Sequence, residues 1–197
     1  MVFIEAATLG ISTKDGPDEL DQKKDFLDLV EKIRCEVAIR IGLAREGRPV
    51  SDNLPLVGVV NRPAEYRSFS SRKLVSAETM DVWSREVFLG AIHKAYGVAE
   101  TVCTAAAALI PGTVVQNVSR PETAKEGRVR IGHPSGVIEA KVLVEFTNNE
   151  PVFRKVVIGR TARRILDGEV YIPDPICLRV GQDRLNYKFY LRREDKC

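Results

Sequence analysis

The stretch that most constrains this chain is Glu100 to Gly112, ETVCTAAAALIPG, which is continuously apolar and bounded at both ends. Val102 to Ile110 carries an apolar side chain at every position except Thr104, so a surface helix there would leave part of its stripe in water. Such a helix has to be buried, with other elements wrapped around it. Pro111-Gly112 ends what the alanines favour, and Thr101 is the expected N-cap. The small side chains at Ala105 to Ala108 let strands approach closely. On this placement Cys103 falls in the first turn, where free N–H groups favour negative charge and would stabilise a thiolate.

The flanking segments supply the wrapping. Val2 to Ala7 reads as a strand and Gly10 to Pro17 as a turn. Asp18 to Leu43 has helical spacing throughout and predicts one long helix, in which Cys35 is a packed apolar group. Asn53 to Asn61, with LPLVGVV at its centre, predicts a buried strand, and Arg72 to Ser76 a short one. Met80 to His93 returns to helical spacing through Val82, Trp83, Val87, Phe88, Leu89 and Ile92 and predicts a second helix packed on the buried one. Thr113 to Val118 is β-rich, and Arg120 to Gly127 is a polar connection. Arg128 to Ile131, Val137 to Phe146 and Phe153 to Ile158, separated by polar turns, predict antiparallel hairpins. A strand at Tyr187 to Arg192 is expected in the charged tail.

Composition excludes several function classes. The 197 residues contain 30 basic and 27 acidic side chains, a net charge of +3, so no strong cationic field awaits nucleic acid. The four cysteines, Cys35, Cys103, Cys177 and Cys197, are scattered, with no CxxC pair or nearby histidine at ligand spacing, so neither a zinc site nor a disulfide framework is indicated. No stretch has the length of a membrane span and no signal peptide is visible, which fits a reducing cytoplasmic setting. Nucleotide-binding loops and the GxSxG elbow are absent.

Three constellations carry candidate chemistry. Thr101-Val102-Cys103-Thr104 places hydroxyls and a thiol at the start of the buried helix, suited either to an anion and a reactive thiolate or to plain packing. Gly132 to Gly136 contains Ser135 and Gly136, able to form an anion cradle or a simple tight hairpin, with His133 open to titration near neutrality. Arg160-Thr161-Ala162-Arg163-Arg164 could clamp carboxylates or form a solvated helix face.

VFIEAATLG, EKIRCEVAIRIGLA, HKAYGVAETVCTAAAALIPGTVV, RIGHPSGVIEAKV and VVIGRTARRILDGEVYIP resemble, in order, successive blocks of the PrpF family within the diaminopimelate epimerase-like fold. That family includes 2-methylaconitate, methylitaconate and aconitate isomerases and 4-oxalomesaconate tautomerase. The resemblance implies an α+β fold for residues 1–173, a curved mixed or antiparallel sheet around a central helix, with 174–197 a divergent tail. It covers only the family's second, C-terminal domain, and the catalytic lysine and cysteine of the first domain have no counterpart. It further implies a cofactor-independent isomerase that shifts a proton and a double bond on a small unsaturated di- or tricarboxylate. By that resemblance Cys103 becomes the candidate catalytic residue and Thr101, Thr104, Ser135 and Gly136 the substrate contacts. The implied partners are the carboxylate substrate and either a complementary N-terminal domain or a second copy of the chain. The alternative is a non-catalytic carboxylate-binding or self-associating module, with the half-length chain inactive alone.

Overall fold

The computed structural model describes residues 1–148, 150–159 and 164–168. In chain order its elements are β1 (Val2–Glu5), a 3-10 turn (Ala6–Leu9), α1 (Pro17–Asp21), α2 (Lys24–Arg40), β2 (Val57–Asn61), β3 (Tyr66–Arg67) and β4 (Leu74–Val75). These are followed by β5 (Val82–Phe88), β6 (Ala91–Ile92), α3 (Val98–Leu109), α4 (Val114–Val118), α5 (Thr123–Glu126), β7 (Arg128–His133), β8 (Gly136–Thr147) and β9 (Glu150–Ile158). The chain divides into two units, residues 1–160 and 161–197. In the second, Arg164 and Asp167 form an exposed ion pair. Arg160 to Arg163 and the tail from residue 169, with the strand expected there, lie outside the described residues.

The first unit is α+β. One mixed sheet runs β1-β2-β5-β7-β8-β9, with β6 folded back on β5. β1–β2 and β5–β7 are parallel, the remaining pairs antiparallel. Side chains alternate across it and build two cores. Trp83 and Val87 pack with Leu20, Phe26 and Val30 of α1 and α2 on one face. Val60, Val82, Val129 and Ile131 pack with Ala105, Ala108 and Leu109 of α3 and with Val115 and Val118 of α4 on the other. The central helix is therefore buried against the sheet, as its apolarity requires, although Val102, Cys103 and Ala106 remain half-exposed.

Four expectations are corrected. Asp18 to Leu43 is two helices, because the chain turns at Gln22-Lys23, and the carboxylate of Asp21, the last residue of α1, accepts from the Ile92 N–H at 2.7 Å. Met80 to His93 is a hairpin, turned through Leu89 and Gly90 at positive φ. Its helical look arose because Ser84, Arg85 and Glu86 are buried as deeply as the apolar residues beside them, which hides the alternation. Thr113 to Val118 is helical, capped by the Thr113 hydroxyl accepting from the Gln116 N–H at 3.1 Å. α3 begins four residues early, with Gly97 rather than Thr101 at its N-cap, so Cys103 sits in the second turn.

Candidate functional site

Three segments converge at the start of α3: the β6–α3 connection, the β7–β8 turn and the serine-rich run after β3. The turn is two residues long, Pro134-Ser135, because His133 pairs with Gly136. Gly136 takes φ 150°, a value side chains rarely adopt. Tyr66 clasps the turn, its hydroxyl lying 2.7 Å from the His133 carbonyl and 2.6 Å from the Gly136 carbonyl, with one proton to donate to either. The Phe69 N–H donates to the Pro134 carbonyl at 2.7 Å, and the Ser68 and Ser70 hydroxyls reach the Ser135 carbonyl. Ser135 Oγ donates to the Lys94 carbonyl at 2.5 Å. These bonds fix the turn against the segment leading into α3.

The candidates named from the sequence occupy different depths. Ser135 and Gly136 lie at the half-exposed rim. Thr101 and Thr104 are fully buried, and their hydroxyls are engaged internally. Thr101 donates to the Gly97 carbonyl at 2.6 Å, and Thr104 meets the Tyr96 hydroxyl at 2.8 Å, which in turn meets Ser84 at 2.7 Å. Cys103, between the two threonines in the chain, is half-buried. The structure thus brings Ser135 and Gly136 to the approach of α3 and sets the two threonines behind it.

Sequence reasoning passed over five residues that shape this region. Lys94 is held by Asp18 and Asp21, and its ammonium also lies 5.5 Å from the Phe69 ring centroid. Arg85, 1% exposed, is stacked between Trp83 at 4.1 Å and Tyr66 at 4.5 Å, with its Nε unpaired among the described residues. Burial pulls its pKa down to about 10. Glu86 and Glu100 are both buried under the first turn of α3, and His93 Nδ1 stands 3.8 Å from Glu86 Oε2. Burial, then the charge and contact of Glu100, push the Glu86 pKa up to about 7. Gly97-x-x-Glu100 is the one legible signal, a helix-start spacing that the Thr101 assignment concealed.

His133 does not titrate near neutrality as expected. Burial first, then the Arg85 and His93 charges, pull its pKa down to about 4, so it stays neutral. Tyr96 is driven the other way, to about 12, by burial. Chemically the rim donors are engaged within the protein, Ser135 Oγ with the Lys94 carbonyl and its N–H with His133 Nδ1, so the N–H groups of the first turn of α3, beside a buried pair of carboxyls, are what the arrangement offers an anion.

No described helix is long and apolar enough to cross a membrane. The 3-methylitaconate isomerase of Eubacterium barkeri is 36% identical over 174 residues, 87% of this chain and 44% of that protein. The 2-methyl-aconitate isomerase of Shewanella oneidensis is 33% identical over 176 residues, 88% of this chain and 44% of its own. The (4E)-oxalomesaconate Delta-isomerase of a Novosphingobium is 26% identical over 172 residues, 87% of this chain and 43% of its own. The crystal structure of a methylitaconate-delta-isomerase superposes with a TM-score of 0.71 at 36% identity, covering 84% of this chain and 42% of that one. The chain therefore spans less than half the length of these relatives. The family profile described as PrpF protein matches residues 1–173, nearly everything the fold and the site are built from, and the chain belongs to the PrpF family.

Proposed function

We propose that this chain forms one wall of a PrpF-type isomerase site, in which a proton, and with it a double bond, moves along a small unsaturated di- or tricarboxylate such as 2-methylaconitate or methylitaconate without a cofactor. The observation that supports it is the docking of the Pro134-Ser135 turn on the approach to α3, in a family whose relatives bear isomerase names. In such a shift a base removes an allylic proton, the C–H electron pair becomes the new double bond, and the carbon at the far end takes a proton. N–H groups and cations stabilise the dienolate between the two steps.

Ser135, its hydroxyl turning from the Lys94 carbonyl to the ligand, and the backbone at Gly136 hold a substrate carboxylate, with the first-turn N–H groups of α3 adding their dipole. Thr101 and Thr104 keep that helix start in place from inside. Cys103 acts as acid or base from the half-exposed face of α3. A complementary domain or second chain supplies the facing wall. The exposed apolar residues Leu143, Phe146 and Val157 of β8 and β9 favour a second reading, a carboxylate-binding module that associates through this surface.

Titrating the 15N-labelled chain with trans-aconitate tests the site. Shifts should concentrate at Val98, Ala99, Ser135 and Gly136, and Ser135→Ala should weaken binding about tenfold, the value of one hydrogen bond to a charged group. Absence of any shift at these amides would overturn the proposal. Deuterium entry into 2-methylaconitate in D2O, lost in Cys103→Ser, separates the isomerase from the binding module.

A further inference from the structure

Glu86 has a local problem that the proposed reaction does not use. β5 alternation directs it, with Ser84, to the face covered by α3, where it is 2% exposed. Its Oε2 has no hydrogen-bond partner among the described residues. The side chain that acts on it, by charge and by hydrogen-bond contact, is a second buried carboxyl, Glu100, 8% exposed. Glu100 folds back so tightly over the helix start that a Cβ on Gly97 would stand 1.9 Å from its Oε2. Two carboxylates in contact with little water between them repel strongly unless one is neutralised.

The cations nearby are committed elsewhere. Lys94 is bound by Asp18 and Asp21. Arg85 follows the opposite alternation and donates to the carbonyls of Ser84 and Gly132. His93 Nδ1, from the end of β6, is 3.8 Å away and accepts from the Ala95 N–H at 3.3 Å. From the approach to α3, the Gly97 N–H faces Glu86, while the Tyr96 hydroxyl is turned to Ser84 and Thr104. Among the described residues no group of three His, Cys, Asp or Glu side chains is placed to hold a metal ion. A shared proton satisfies the orphaned oxygen and removes the repulsion together.

We propose that Glu86 and Glu100 form a one-proton carboxyl pair, Glu86 donating to Glu100, and that capture of a carboxylate at the start of α3 is tied to proton uptake by this pair. The proton comes from solvent: one O–H bond of a hydronium ion breaks, one O–H bond forms on Glu86, and the hydronium leaves as water. The pair then carries one negative charge. Once the proton is lost it carries two, directly behind the N–H groups that face the anion, and these cancel the helix dipole. Affinity for a polycarboxylate should therefore fall as pH rises through neutrality. The direction in which burial and Glu100 shift Glu86 agrees with this. The anion's class rests on the function proposed above, whereas the pair itself does not.

The carboxyl carbons of the full chain, labelled with 13C at glutamate, report the pair directly. One glutamate should titrate about two units above the others and vanish from the spectrum's titrating set in Glu86→Gln. If every glutamate titrates in the ordinary carboxylate range, the pair is overturned. The wild-type titration decides this even if Glu86→Gln fails to fold, and Glu100→Gln should abolish the same high transition. Calorimetry with trans-aconitate at pH 7, in phosphate and in Tris, counts protons taken up. Wild type should take up a fraction of a proton and Glu86→Gln none, with the variant binding about tenfold more tightly than wild type at pH 8. Equal proton counts in the two proteins would overturn the linkage. A trans-aconitate that does not bind would sink the linkage and the function proposed above, and leave the 13C titration to decide the pair.

Discussion

Removing the Tyr96 hydroxyl separates packing from hydrogen bonding in the α3 core. That oxygen bridges Ser84 and Thr104, both fully buried, so Tyr96→Phe keeps the ring and strands the Thr104 hydroxyl, while Ser84 keeps only the Val59 carbonyl at 3.4 Å. The expected cost is about 1–3 kcal/mol, read from the urea midpoint at unchanged slope. Glu86 makes a prediction of a different kind. Its folded pKa lies near 7 and its ordinary value at 4.5, so between those limits the folded chain holds a proton that the unfolded chain has released. Stability should therefore fall as pH rises across that window and level off above it. Denaturation at pH 5 and pH 8 should show this fall in wild type and a flatter profile in Glu86→Gln. A wild-type profile that rises with pH would contradict the assignment. Ser135 and Gly136 could be named through the resemblance of RIGHPSGVIEAKV to a family block, since the residues alone left the turn open between an anion cradle and a simple hairpin. Glu86 could not, since a carboxylate on an apparent helix is normally solvated, and only Glu100, fourteen positions along the chain, explains its burial.

Elements became legible where their side chains sort by polarity and misled where polar groups are buried. The β7–β8–β9 hairpins follow from alternation and polar turns. β5 does not, because Ser84, Arg85 and Glu86 are satisfied or held by partners distant in sequence: Tyr96, the Trp83–Tyr66 stack and Glu100. The α4 helix did announce itself, through Thr113-x-x-Gln116, a capping-box spacing outweighed by Val114 and Val115. Where β5 meets β7 the ladder is short, pairing Val82 with Ile131 and Trp83 with Gly132. Asp81 lengthens it, accepting from the Arg130 N–H at 2.8 Å and from its guanidinium at 2.6 Å. Asp81 is 6% exposed, so Asp81→Ala leaves Arg130 without its carboxylate and should cost about 3 kcal/mol by thermal or urea unfolding. A loss below about 0.5 kcal/mol would show that the ladder alone holds the junction.

At the scale of the molecule, the sheet is two sets of strands sharing that junction, β1-β2-β5-β6 on one side and β7-β8-β9 on the other. The proposed site is drawn from both: His93, Lys94 and Glu86 from the first, the Ser135 turn from the second. The fold class came from the resemblance of successive blocks to the PrpF family, and the central helix was visible in the residues because apolarity alone forces burial. The sharing was not, since it depends on which strands end up adjacent. Arg120 reinforces the junction, donating to the Met80 and Ala77 carbonyls at 3.0 Å each. Hydrogen exchange should reveal the arrangement. In Asp81→Ala, the Phe69 and Ser135 amides should exchange about a hundredfold faster, while Val59 and Val60 within β2 change little. Uniform acceleration across the sheet would mean that the junction opens only with global unfolding. Because the Ser135 turn and Glu86 lie on opposite sides of one short junction, the proposed anion site and the proposed carboxyl pair should be coupled through it. A substitution at Asp81 or Arg120, touching no ligand, should lower affinity in proportion to the stability it removes from that seam.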